Sequence, residues 1–277
     1  MRVVSEKKLS RAIVRPPGAS FVAGLTRATL GPPDYYRALR QHAAYCAALE
    51  TSGLTLTRLK PDERFPDSTF VEDTAVMIIT HDEGSDARAE KTNWRSILTR
   101  PGAPSRRGEE QSIEQILTQL GLETFAISPP GTVDGGDICE TEDHFFIGIS
   151  KRTNEDGASQ LADLLKSFGY TASIVDIRDW KTILHLKSGL AYLGDNRLVV
   201  TEALRTQAVF EGYELVPIKN DEAYAANCVR VNDFVLVAAG FPRLDGALQD
   251  LGYKTLALEM SEFQKLDGGL SCLSLRF

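Results

Sequence analysis

The feature that most constrains this chain is a unit that recurs along it. Each unit has a strand opening on polar or acidic residues, a short turn, a second apolar strand, an amphipathic helix and a further strand. The first copy opens over residues 70–79, passes a polar stretch at 81–93, and continues as a strand at 96–99, a helix at 105–120 and a strand at 122–127. The second opens at 134–140, turns at Asp143, returns over 145–149 and closes with a helix at 154–168 and a strand at 170–175. The third runs 185–193, turns at Gly194-Asp195-Asn196, returns over 198–201 and predicts a helix at 202–210. The fourth runs 226–231, turns at Asn232-Asp233, returns over 234–239 and predicts a helix at 242–251 with Pro242 at its start. A fifth begins at 271–277 without its partner strand, and residues 12–16 supply that partner, followed by a helix at 33–50 and a strand at 54–59. The two ends are therefore expected to pair and close a ring. Five such copies around one axis make a five-fold α/β propeller, here a single domain over 1–277. Strands alternating with helices equally permit a doubly wound sheet, but hairpins within each unit and complementary terminal halves favour the ring.

Superposing the units places Glu72 and Asp73, Asp134 and Asp137, His185, Asn227 and Cys272 at the starts of the first strands, facing one central channel. Cys272 is either an inert core thiol or a nucleophile served by those neighbours. Among the histidines, His185 begins a strand between Leu184 and Leu186 and is the one placed to act as a base. His42 stands four residues from Cys46 and reads as helix surface or core edge, while His81 and His144 read as solvated. In Asp134-Gly135-Gly136-Asp137 the glycines let the backbone crowd the axis, and a carboxylate there would hold the second nitrogen of His185.

Asp67, Glu72 and Asp73 lead into an apolar strand, where buried negative charge is costly unless a cationic ligand relieves it. Arg100, Arg106 and Arg152 follow the outer strands of their hairpins. Two of these arginines would suit a carboxylate clamp, with a solvated surface as the alternative. Cys139 and Cys228 read as core or channel-lining thiols.

A formal net charge of -7 argues against a nucleic-acid or anionic-membrane surface and favours a small cationic substrate. No apolar run approaches the roughly 18 residues of a membrane span, and residues 1–11 lack the apolar core of a signal peptide, so a cytoplasmic protein is expected. The four cysteines form no Cys-x-x-Cys pair, which leaves them as reduced thiols.

Six ordered motifs carry a resemblance that spans nearly the whole chain: Phe-Val-Glu-Asp at 70–73, Thr-Arg-Pro-Gly-Ala-Pro-Ser-Arg-Arg at 99–107, Asp-Gly-Gly-Asp at 134–137, Ser-Lys-Arg-Thr-Asn at 150–154, His-Leu-Lys-Ser at 185–188 and the terminal cysteine. Together they resemble the dimethylarginine dimethylaminohydrolases, enzymes of the five-repeat pentein fold. The resemblance implies hydrolysis of asymmetric dimethylarginine or monomethylarginine to citrulline and an amine, with no cofactor, by a monomer or homodimer. It implies Cys272 as nucleophile, His185 as acid and base, and Asp134 as the group that orients His185. It also implies Asp67, Glu72 and Asp73 around the guanidinium, Arg106 and Arg152 at the substrate carboxylate, Asp267 beside the cysteine, and Leu25 in a loop that the family uses as a lid. The ligand types of Cys272, His185 and Glu72 would suit an inhibitory zinc ion. Ser68 and a single cysteine near the end depart from the animal enzymes. Arginine and agmatine deiminases and citrulline hydrolases share the fold and core residues, and a five-repeat binding protein is the non-enzymatic alternative.

Overall fold

The computed structural model describes residues 8–80 and 93–277; the expectations for the start of the chain, for His81 and for most of the polar stretch after it lie outside the described residues. The elements run β1 (Arg11–Val14), α1 (Tyr35–Thr51), β2 (Thr55–Arg58), β3 (Ala75–Thr80), β4 (Asn93–Leu98), α2 (Glu110–Gln119), β5 (Glu123–Ala126), β6 (Ile138–Glu140), β7 (His144–Ile149), α3 (Glu155–Ser167) and β8 (Thr171–Asp176). They continue as β9 (Leu190–Tyr192), β10 (Arg197–Thr201), β11 (Glu214–Ile218), β12 (Val229–Val231), β13 (Phe234–Ala238), α4 (Pro242–Asp250), β14 (Lys254–Leu258), α5 (Ser261–Gln264) and β15 (Ser274–Arg276). Asp34 and Asn154 accept hydrogen bonds from the first-turn amides of α1 and α3, as side chains of this type do at helix starts.

Among the described residues, fifteen strands form five three-stranded sheets of one design, in which the middle strand is antiparallel to the first and parallel to the third. The fifth sheet is β15-β1-β2, with Ile13 opposite Leu275 in the antiparallel pair, so the two ends of the chain complete one blade. The hairpin turns occur where expected, with Asp195, Asn196 and Asn232 in the left-handed region.

Successive residues of a strand point to opposite faces, and in this ring each face meets a neighbouring blade. Val76 and Ile78 of β3 join one core with Phe145 and Ile147, while Ala75 and Met77 join another with Ile13 and Leu275. In β13, Val235 and Val237 pack towards β10, and Leu236 and Ala238 pack towards β1. Both faces being buried explains why the middle strands read as continuous apolar runs rather than alternating ones.

Two expectations are corrected. Residues 202–210 form turns and a short 3-10 segment (Ala208–Phe210), not an α-helix. The residues buried there, Leu204 and Phe210, are six apart, a spacing that a helix would turn to different faces. The helix expected from residue 105 starts at Glu110, because Gly108 takes a positive φ of 104° and redirects the chain, with the Arg106 side chain buried just before it. Among the described residues no helix is long and apolar enough to cross a membrane.

Candidate active site

The first strands do not themselves begin with the reactive residues. Just ahead of each lies a 3-10 turn: Val71–Thr74, Gly135–Asp137, Leu186–Ser188, Asn220–Ala226 and Ser271–Leu273. These turns carry Glu72, Asp73, Asp137 and Cys272, and Asp134, His185 and Asn227 flank them.

Hydrogen bonds tie the five turns into a closed circuit. The Ser271 hydroxyl donates to Glu72 Oε2 at 2.7 Å, and the Gly136 amide donates to Asp73 Oδ1 at 2.8 Å. The Leu186 amide donates to Asp137 Oδ1 at 3.0 Å, and Asn227 Nδ2 donates to the Lys187 carbonyl at 3.0 Å. The circuit closes where the Ser271 amide donates to Asn227 Oδ1 at 2.8 Å. A site built on five turns bound to one another is preorganised, since moving one side chain means breaking buried bonds.

His185 is buried, with Nε2 lying 3.3 Å from Oδ2 of the fully buried Asp134. Asp134 is itself fixed by the Gly102 amide, which donates to its other oxygen at 2.8 Å. Burial alone would lower the imidazole pKa. Asp73, Asp137 and Asp134 outweigh it and push the group up to about 9, so it carries a proton at neutral pH. Asp137, pushed up to about 6 by burial, accepts from Ser150, Thr153 and Leu186 and so joins the His185 turn to the loop before α3.

Cys272 is buried, and its sulfur accepts from the Gly269 amide at 3.4 Å. Burial first, then the charges of Glu72 and Asp73, push the thiol up to about 12. Asp73 is thus the charge common to the thiol and the imidazole. Its own carboxyl is depressed to about 2: burial would raise it, but Arg106 and His185 outweigh burial.

At the mouth, the Leu25 amide donates to Asp67 Oδ1 at 3.0 Å, and the Arg27 amide donates to Asp267 Oδ2 at 2.5 Å. The loop carrying the half-exposed Leu25 therefore lies pinned across two of the expected substrate carboxylates. Burial raises the Asp67 pKa. Arg152 stands 3.9 Å from Asp134, and its Nη1 is buried without a hydrogen-bond partner among the described residues, so it retains a donor for a ligand.

Two of the residues expected at the substrate, Arg106 and Glu72, have partners within the protein. Arg106 is spent on the protein: Nη1 donates to Asp73 at 2.5 Å, Nη2 to Glu109 at 2.7 Å, and Nη2 also reaches the carbonyls of Asp67 and Phe70. A guanidinium this buried and this engaged acts as a counter-ion beneath the acidic cluster. Glu72 is likewise paired, with Lys187 at 2.6 Å and Arg276 at 3.1 Å. The carboxylates that act on the thiol are Glu72 and Asp73, and those that act on the imidazole are Asp73, Asp137 and Asp134. The expected zinc set of Cys272, His185 and Glu72 does not recur either. Among the described residues, the ligand atoms that lie within 4.8 Å of one another belong to Asp73, Asp134 and His185.

Lys187, Ser271 and Arg276 carry no site role in the sequence reading, although Lys187 lies inside the motif at 185–188 and the other two inside the unit that opens at 271. With Cys139 and Cys228 they line an axial cavity of about 770 Å³ that Cys272, His185 and Asp134 do not line. His42 and Cys46 are both buried and 3.6 Å apart, in the core rather than on the helix surface. His144 begins β7, bonded to Thr171 and packed on Phe146.

A five-bladed α/β propeller with a thiol, an imidazole and carboxylates gathered on turns at its axis defines the pentein class. The chain is 43% identical over 266 residues to an N(G),N(G)-dimethylarginine dimethylaminohydrolase of Pseudomonas aeruginosa, covering 96% of this chain and 98% of the relative. A protein of the same name from Streptomyces coelicolor is 31% identical, with 96% of each chain covered. The solved structure of the Pseudomonas aeruginosa enzyme, as a cysteine-to-serine mutant complexed with citrulline, superposes with a TM-score of 0.88 at 42% identity, covering 98% of this chain and 100% of that one. No protein-family model matches the chain. The chain belongs to the dimethylarginine dimethylaminohydrolase family.

Proposed function

We propose that this protein hydrolyses asymmetric dimethylarginine and monomethylarginine to citrulline and dimethylamine or methylamine, as one catalytic domain acting in the cytoplasm. The observation that carries the reading is the hydrogen-bonded circuit of turns that bears Cys272, His185 and Asp134 on three blades, with Asp73 acting on both the thiol and the imidazole, each of which it helps to hold protonated. A guanidinium entering beside Asp67 and Asp73 adds positive charge next to Cys272, lowers its pKa and drives its proton to solvent. The thiolate then attacks the guanidinium carbon, forming the C–S bond. His185 donates its proton to the methylated nitrogen, the C–N bond breaks, and the free amine leaves an S-alkylthiouronium on Cys272. Neutral His185 next takes a proton from water as the hydroxide adds to that carbon. Collapse breaks the C–S bond, returns sulfur with the hydroxyl proton and releases citrulline. Asp134 keeps the imidazole oriented through both transfers. Arg152 supplies the buried donor for the substrate carboxylate.

Steady-state assays with dimethylarginine, monomethylarginine, arginine, agmatine and citrulline test this directly. Preference for the two methylated arginines, lost in Cys272→Ser, is the expected result. Preference for arginine, agmatine or citrulline would transfer the protein to another pentein activity.

A further inference from the structure

Arg15 follows β1 and is 2% exposed, yet its Nε and Nη1 have no hydrogen-bond partner among the described residues. Only Nη2 is bonded, to the Ser112 hydroxyl at 2.5 Å. The guanidinium lines a second cavity of about 340 Å³, formed with Lys60 and Arg64 from the segment after β2 and with Ser112, Gln115 and Gln119 from α2. An unpaired buried cation is costly, and the nearby carboxylates are engaged elsewhere. Asp62 receives Arg64 through two bonds, at 2.9 and 2.7 Å, and Glu109 receives Arg106 at 2.7 Å. The cavity therefore presents a buried guanidinium with open donors, a lysine at its rim and two glutamine amides, beside an Asp62 carboxylate that Arg64 neutralises, in a protein whose net charge is -7.

We propose that this cavity is a second binding site, distinct from the Cys272 site, for a phosphate group. Arg15 donates from Nη1, Lys60 supplies the second charge, and the side-chain amides of Gln115 and Gln119 complete the donors. A guanidinium donor and an ammonium facing one cavity match a phosphate oxyanion in charge and in hydrogen bonding. Free phosphate and a phosphate monoester share this recognition chemistry.

The test titrates inorganic phosphate and, separately, glycerol phosphate into the whole protein by calorimetry at constant ionic strength held with chloride. Saturable one-site binding is expected. Lys60→Ala should weaken it about tenfold, as for loss of one charge-assisted contact. Arg15→Met should abolish it. Should that variant not fold, Gln119→Glu, an exposed change that adds an unpaired carboxylate to a lining whose Asp62 is neutralised by Arg64, should abolish binding in a folded protein. Tighter binding of glycerol phosphate would identify the ligand as a monoester, and equal or weaker binding would identify free phosphate. Phosphate heats no different from chloride, or binding unchanged in both Lys60→Ala and Gln119→Glu, would overturn the proposal.

Discussion

Gly136→Ala isolates what close approach at the axis contributes. Gly136 does not have a positive φ, so alanine meets no backbone strain there and space alone decides. A Cβ at this position would lie 2.6 Å from His185 Nδ1 and 2.9 Å from both His185 Cγ and Asp73 Oδ1. Ordinary non-bonded contact begins near about 3.5 Å, so the imidazole must retreat by about 0.9 Å. Its bond to Asp134 is already 3.3 Å long, and such a shift removes it. Asp73 cannot give way freely, because Arg106 and the Gly136 amide hold it. A displacement of this size should lower kcat about a hundredfold, and overpacking should cost about 1–3 kcal/mol of stability. Urea unfolding and steady-state kinetics read the two effects separately. Gly246→Ala is the control, since it lies within α4 with nothing inside 4 Å, and should add about 0.5–1 kcal/mol without touching kcat. A folded Gly136→Ala enzyme with wild-type kcat would refute the reasoning that His185 is held in place by this contact.

Further outcomes follow from the same geometry. Asp134→Asn should leave the fold intact but lower kcat by about two to four orders of magnitude, because the amide favours the wrong imidazole tautomer; the kinetic assay checks it. His185 has a raised pKa, so its stabilising contribution is fully present below about 6.5 and is lost as pH rises from there through about 9. On the order of 3 kcal/mol should therefore separate the pH dependence of urea unfolding in wild type from that in His185→Gln, a difference set by a shift of about two pH units or more. Asn227→Ala removes the link between the third, fourth and fifth turns and should cost about 2–3 kcal/mol, seen as a lower urea midpoint. Deleting residues 274–277 removes β15 and the partner of β1 and should lower the thermal midpoint sharply, because both neighbouring cores lose their seal.

The ring was legible because a repeated unit announces itself by period, and because the strand at 12–16 had no partner except the one at the far end. Cys272, His185 and Asp134 were legible because the ring places equivalent positions of different repeats on one axis. The 3-10 turns that bear these residues were not, since three residues are too few to show a helical period against the strand that follows. The pairings of Arg106 and Glu72 were not legible for a different reason. Sequence shows where a charged residue falls along the chain, whereas the direction of its side chain depends on partners such as Glu109, Lys187 and Arg276, which only the fold assembles. Residues 202–210 have the composition of a helix but bury Leu204 and Phe210 on incompatible faces, a tertiary demand that overrides local propensity.

The central claim is that the Cys272 sulfur takes the guanidinium carbon and that the methylated nitrogen departs first. Intact-protein and peptide mass spectrometry of enzyme acid-quenched during turnover tests it most directly. Dimethylarginine and monomethylarginine should give one and the same adduct on the peptide containing Cys272, each equal to the substrate less its methylated amine, with no adduct in Cys272→Ser. An adduct that retains the methyl groups, an adduct on another residue, or turnover persisting in Cys272→Ser would contradict the account.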